Sequence, residues 1–469
     1  MDKNDHAKHT LEPHVLIFPT PLQGPVSCFL KLAELLCISG IHVTFLNTDY
    51  IHRPLIRHTQ VLSRFRNYPN FQFETIPDGL EHDNPVSIEK LDEMIDAVNA
   101  AAKPLFRDMM ISGRWSRSSE RPVTVMIVDA FFSFAVELGL ETSTPVFCFQ
   151  TISPWEQSDE LVTSVPGTQH FLRKRDLAGF CQTDDLSNME LQFVLQQALI
   201  TPQTQGLILN TFEELDALVL PHIRKVCPNV YPIGPLHSLY RSRLLADTTQ
   251  ILENISSNSV WKEDKTCLSW LDKHPPKSVA YISFGSLATI NVDQMLEIWH
   301  GLVHTGKPFL WVKRPESITG EYNESQVPNE LLERTKEIGC IVDWAPQEEV
   351  LAHPAVGVFL THSGWNSTIE SIAHGVPIIC WPYFYDQQVN SRFVGEVWKV
   401  GVDMKDLTCD RFIIEKAVRD VMDTRQGMFT QSATAWQNLA KESIGETGSS
   451  SKNFALLLDD IRELSSIMK

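Results

Sequence analysis

Residues 344–387 read "WAPQEEVLAHPAVGVFLTHSGWNSTIESIAHGVPIICWPYFYDQ", and one strand, one turn and one helix inside that stretch decide the fold. "VGVFLT", Val356 to Thr361, is a short β-rich apolar run, the pattern of a buried strand. "HSG" makes a turn, and "WNSTIESIAHG" is a helix ended by Gly375, the residue type that closes helices in the left-handed conformation. Asn366 and Ser367 therefore fall at a helix N-terminus, where unpaired N–H groups and the helix dipole favour phosphate. His362 adds a donor beside them. A second strand-to-loop junction, "SVAYISFGS", ends at Ser286 and offers another hydroxyl. No Asp-x-Asp pair or His/Cys cluster is arranged to hold a metal, so a diphosphate here is expected to need none.

The same alternation of short strands and helices extends outward in both directions. The 469 residues are too many for one ordinary core and suit two domains of typical size. The first half runs through "HVLIFP", a helical stretch from Val26 to Ser39, "HVTFLN", "FQFETI", a helical stretch from Ile88 to Met110, "VTVMIVD", a helix from Phe131, and "PVFCFQ". Such an order predicts parallel βαβ units, an α/β fold. From His237 to Ser259 the chain is polar and loses periodicity, as a linker would, before the second alternation begins. The expected division is a first domain over residues 1–236, a linker over 237–262 and a second domain over 263–450. A terminal helix over 451–469 is expected to pack back on the first domain. Two α/β halves joined this way place a cleft between them, a common location for a ligand site.

Composition narrows the partners. A net charge of −18 argues against nucleic acid, whose phosphates need clustered Lys and Arg. No apolar run reaches the length of a membrane span, and "VLIFP" near the start is too short for a signal-peptide core. The nine cysteines are scattered, odd in number and never in a C-x-x-C pair, which fits free thiols in the cytoplasm.

Trp344 to Gln387 closely resembles the signature box of plant family 1 glycosyltransferases, which move a sugar from a UDP-sugar to a small acceptor. The match includes W-x-P-Q, L-x-H-P, T-H-x-G-W-N-S, E, G-V-P, W-P and the closing D-Q, and it extends to "FGS" at Phe284 to Ser286 and "NTFEELD" at Asn210 to Asp216. The resemblance implies GT-B architecture, two Rossmann-like domains whose parallel sheets face a central cleft. It implies a monomer using UDP-glucose as co-substrate, without a separate cofactor, the acceptor on the first domain and the donor on the second. It assigns Trp344 to stacking on uracil, with Ala345 beside it, and Gln347 and Glu370 to the ribose. His362, Asn366, Ser367 and Ser286 face the diphosphate. Asp386, Gln387 and the backbone N–H of Trp365 grip the sugar. Ser367 and Glu370 also spell S-x-x-E, a capping box, so cap and ribose readings compete for them. His353 in "LAHP" is read as structural.

The first turn departs from the family. Most members read G-H there, and that His removes the acceptor's proton while a nearby Asp orients it. Here the turn is "QGPVS", so Pro25 stands at the base position and Asp129, at the end of "VTVMIVD", keeps the Asp position. His14 starts the first strand, at the wrong end for the site, and His82 and His170 are read as solvent-facing loop residues. Losing a base costs roughly 10²–10⁴-fold, which leaves three routes. The chain transfers glucose to an acceptor acidic enough to need little help, or another side chain has entered the space, or the pocket binds without transferring or serves another step. After "FQTISP" only "WEQSDE" precedes "LVTSVPG", several helical turns fewer than usual, predicting a wider acceptor pocket. "VTSVPGTQHFLRKRDLAGFC", Val162 to Cys181, resembles the branch with iridoid glucosyltransferases, favouring a small terpenoid, iridoid or phenolic acceptor.

Overall fold

The computed structural model describes residues 13–80, 91–113, 115, 121–129, 131–150, 162, 166–178, 181, 189–227, 229–246, 259–314, 317–320 and 327–467. The shortened segment after Pro154 and His82 lie outside the described residues.

The apolar runs of the first half become strands, buried except at the half-buried edge strand Phe71–Ile76. They are β1 (His14–Phe18), β2 (His42–Thr48), β3 (Phe71–Ile76), β4 (Val125–Asp129), β5 (Val146–Gln150), β6 (Gly206–Leu209) and β7 (Val230–Pro232). All pairings are parallel, in the order β3-β2-β1-β4-β5-β6-β7. The second half supplies β8 (Val279–Ser283), β9 (Ile290–Asn291), β10 (Phe309–Val312), β11 (Ile318–Thr319), β12 (Gly339–Val342), β13 (Val356–Thr361), β14 (Ile378–Cys380) and β15 (Gly401–Asp403). Its main sheet, also parallel, runs β12-β10-β8-β13-β14-β15, with β9 and β11 forming a small separate pair. In both sheets the first strand lies inside, with the next on one side and the fourth on the other. The chain reverses direction across the sheet there, the switch point where open α/β sheets leave a crevice for ligands.

Helix α1 (Gln23–Ile38) begins earlier than its apolar spacing suggests. Pro25 is its third residue, where the missing N–H has no intrahelical partner to lose, and the first helical bond runs from Val26 N to Leu22 O at 3.0 Å. α1 buries Phe29, Leu32, Ala33 and Leu36 against the first sheet. The segment expected to be an aperiodic linker starts instead as a helix, Leu236–Ala246, whose Leu239 and Tyr240 pack into the same core. Its polar residues hid an apolar face that only α1 makes useful.

The terminal helix spans Ser449–Ile467 and places Phe454, Leu457 and Ile461 in the core of the first sheet. The Tyr231 hydroxyl donates to Asp460, and Ser465 and Thr124 share a hydrogen bond of 2.7 Å. A mixed apolar cluster, including Phe212 and Leu215 from the first half and Trp365, Phe393 and Trp398 from the second, joins the two halves.

Candidate active site

The carboxyl ends of the strands at both switch points open onto one cavity of about 290 Å³, near the lower end of small-ligand pockets. From the first half, Leu22, Gln23, Gly24 and Pro25 line it after β1, and Phe131 after β4. From the second come Ser283, Gly285, Ser286 and Leu287 at the end of β8, Trp344 to Glu349 after β12, His362 and Gly364 to Ser367 after β13, and Phe384 to Gln387 after β14. All eleven residues expected to hold the donor line this cavity: Ser286, Trp344, Ala345, Gln347, His362, Trp365, Asn366, Ser367, Glu370, Asp386 and Gln387. The strand order brings together residues that the sequence scatters over a hundred positions.

Their local chemistry is ordered by the helix Trp365–His374, capped by Gly364 and ended by Gly375 in the left-handed conformation. Ser367 is its third residue and Glu370 its sixth, so the S-x-x-E spacing is not a capping box here. Instead the Gln347 amide nitrogen donates to Ser367 Oγ at 3.0 Å and to Glu370 Oε2 at 2.8 Å, while its oxygen accepts from the Tyr281 hydroxyl at 3.3 Å. Gln347 thus fixes the orientation of the Glu370 carboxylate within the wall. Trp344 is half-buried, with its ring 5.9 Å from that of Trp261. At the far end the Gln387 amide oxygen accepts from Tyr383 N and Phe384 N at 2.9 and 3.2 Å, which fixes the amide's orientation. Asp386 accepts from Asn390 Nδ2 at 2.9 Å.

Asn366 reaches across the cleft. Its Oδ1 accepts from the Cys28 thiol at 3.0 Å and from Asn210 Nδ2 at 3.5 Å, and the Trp365 indole donates to Asn210 O at 2.9 Å. Burial pushes the Cys28 thiol up to about 12, so it stays a donor. A Cβ at Gly24 would come within 3.1 Å of Asn366 Nδ2, and glycine there lets α1 approach this closely.

The charges of the cavity are shared between the two halves. Lys31 of α1, buried, pairs with Glu348. Burial opposes the Lys31 charge, but Glu348 and then Glu370 more than offset it, and its pKa is raised. Burial also disfavours the Glu348 carboxylate, yet Lys31 brings it below the usual range. Glu370 goes the other way: burial, against Lys31 but with Glu348 alongside, raises it. Burial, reinforced by the Arg314 charge, lowers His362 to about 4. At neutral pH His362 is therefore uncharged and offers hydrogen bonding alone.

Among the described residues, the first-half wall contributes cations but no carboxylate or imidazole. Asp129 is 1% exposed and is not among the residues lining the cavity. Its carboxylate accepts from Thr20 N at 3.4 Å and Phe131 N at 3.2 Å, so it ties two loops together. His14 is buried between Thr44 and the carbonyls of Arg121 and Pro122, and burial lowers it to about 4, in keeping with a structural part. His170 is exposed. His353 accepts from Ala355 N and contacts Asp272, away from the cavity.

Sequence reasoning passed over Lys31 and Glu348. Lys31 sits inside the apolar run "CFLKLAELL", and a charge within such a run is the signal that it meets a buried partner. Which partner it meets is settled by the packing of the two halves.

Two doubly wound parallel sheets sharing one cavity at their switch points, with the residues expected to hold the donor on one side, define a GT-B glycosyltransferase. The family model described as "UDP-glucoronosyl and UDP-glucosyl transferase" matches residues 255–430. Over 97% of its length the chain is 48% identical to 7-deoxyloganetic acid glucosyltransferase of Catharanthus roseus, covering 98% of that enzyme. It is 38% identical, over 98% of its length and 97% of the relative's, to a myricetin 3-O-rhamnoside 1,2-glucosyltransferase of Crocosmia x crocosmiiflora. Among solved structures, Os79 from O. sativa in complex with UDP superposes with a TM-score of 0.80 at 26% identity, over 95% of this chain and all of that one. The chain belongs to the UDP-glycosyltransferase family, in its plant family 1 group.

Proposed function

We propose that the protein transfers glucose from UDP-glucose, with inversion, to an acidic group of a small terpenoid-, iridoid- or phenol-like molecule. One observation carries the reading. Among the described residues, the first-half wall of the cavity carries no carboxylate or imidazole, while the eleven residues expected to hold the donor all line the second-half wall. A carboxylic acid, with a reference pKa of about 4, is already ionised at neutral pH and needs no base. The Catharanthus roseus relative is named for an acid as its substrate, which supports a small acidic molecule as the acceptor.

In this reading Trp344 and Ala345 face the uracil, and Glu370, oriented by Gln347, accepts from the ribose hydroxyls. The N-terminus of the Trp365 helix, Asn366, Ser367, Ser286 and neutral His362 surround the diphosphate. Asp386, Gln387 and the Trp365 N–H hold the sugar. The acceptor oxygen attacks the anomeric carbon from the face opposite UDP, the bond to phosphate oxygen breaks, and its electron pair leaves on UDP. With a carboxylate attacking, no proton has to move. Asp129 acts by fixing the loops after β1 and β4, and Pro25 leaves alcohols without a base.

The acceptor side is assigned to residues 1–236 and the donor side to 263–450, with 237–262 connecting them and 451–469 closing on the first part. The reading extends to a monomer acting in the cytoplasm, supported by nine free thiols. No observation favours binding without transfer. The test is turnover of UDP-glucose by the purified protein against carboxylic acids, phenols and alcohols of graded pKa. Product is expected with the acids and the more acidic phenols. No UDP release across the panel would sink the transferase reading, and equal rates with alcohols would sink the acidic acceptor.

A further inference from the structure

Just beyond the end of β10, Arg314 lies behind the cavity wall, only 5% exposed and not among the lining residues. Its Nε donates to Gly285 O and its Nη2 to Ala288 O, each at 3.0 Å. One guanidinium therefore bridges both ends of the loop that carries Ser286. That loop rests directly on His362. Gly285 has φ +73°, and a Cβ there would lie 2.5 Å from His362 Cε1. Arg314 also reaches the other end of the nucleotide wall, its guanidinium 5.7 Å from the centroid of Trp261, the ring neighbouring Trp344.

We propose that Arg314 is a positioning residue for the donor's diphosphate: by holding the Gly285–Ala288 loop against His362, it sets where Ser286 and His362 meet the phosphates. This rests on the donor reading given above. A planar fork with fixed N–H directions can serve two carbonyls at once, whereas a lysine ammonium on a flexible stem is a point charge. Burial, with the guanidinium charge adding to it, also keeps the His362 ring neutral, so it meets the phosphates as a hydrogen-bonding partner.

The experiment compares UDP with uridine, which lacks the phosphates, by calorimetry and ligand-observed NMR on the full chain. Wild type and Arg314→Met and Arg314→Lys variants are compared, with folding checked by circular dichroism. Misplacing one or two donors to a charged group corresponds to roughly 10- to 100-fold. Arg314→Met is expected to lose that much UDP affinity while uridine affinity stays within about threefold, and Arg314→Lys to recover only part of the loss. If Arg314→Met fails to fold, the UDP-to-uridine ratio of Arg314→Lys against wild type decides by the same criterion. Equal losses for UDP and uridine, or no loss for either, overturn the proposal. Wild type that binds no UDP, or whose UDP affinity is untouched by Trp344→Ala and Glu370→Ala, overturns the donor reading itself.

Discussion

Replacing Lys31 with methionine tests how the two halves are joined at the site. The Lys31 side chain is 5% exposed and that of its partner Glu348 27% exposed. Breaking a fully buried pair by removing one member costs about 3–5 kcal/mol, because the other charge is stranded. Glu348 retains some water, and an exposed pair is worth under about 1 kcal/mol, so the expected loss is about 2–3 kcal/mol. Glu370 adds to the effect, since Lys31 is also the cation that opposes its burial and the neighbouring Glu348 charge. Without Lys31, Glu370 holds its proton to higher pH and accepts more poorly from ribose hydroxyls. The assay is urea unfolding of wild type, Lys31→Met, Glu348→Gln and the double variant, with uridine affinity measured on each. A coupling energy of at least about 1.5 kcal/mol is expected, since both single changes remove the same contact. Strict additivity, or a Lys31→Met loss below about 0.5 kcal/mol, would refute the idea that this pair clamps the halves together.

Uridine affinity should rise between pH 6 and 8, because burial holds Glu370 near a pKa of about 7 and only its carboxylate accepts from both hydroxyls; Glu370→Gln should flatten the profile. Folding responds with the opposite sign: a carboxyl raised above its unfolded value favours the folded state at low pH, and that contribution is lost as pH rises through about 7. Pro25→His should speed transfer to phenols and alcohols but leave carboxylic acids unchanged. The gain is expected toward the lower end of 10²–10⁴-fold, because the Asp129 carboxylate is engaged by backbone N–H groups. The helix should tolerate the change at a cost below about 1 kcal/mol, and an equal gain on acids would contradict it. Asp129→Ala should cost about 1–3 kcal/mol of stability by leaving two buried N–H groups unpaired, with acid-acceptor turnover within about threefold of wild type; a much larger turnover loss would restore Asp129 to the chemistry.

The sequence by itself determined most strands of the two main sheets, the Gly375 helix end, the parallel α/β class and eleven residues that come to line one cavity. These are local matters: apolar runs of strand length, a glycine able to take a positive φ, and a long motif whose spacing survives intact. The start of α1 at Gln23 and the helix Leu236–Ala246 were not legible, because proline tolerance in a first turn and an apolar face among polar residues depend on what packs beside them. That Ser367 and Glu370 form no capping box was decided only by tertiary structure. Gln347, 20 positions from Ser367 and 23 from Glu370 in sequence, reaches both side chains, and Gly364 takes the capping position. Tertiary structure likewise turned Asp129 toward the backbone, set Lys31 against Glu348 and placed Arg314 behind the Gly285 loop. Each of these is a charge whose meaning lies in its partner, and partners are set by how the two sheets pack, which no spacing along the chain encodes.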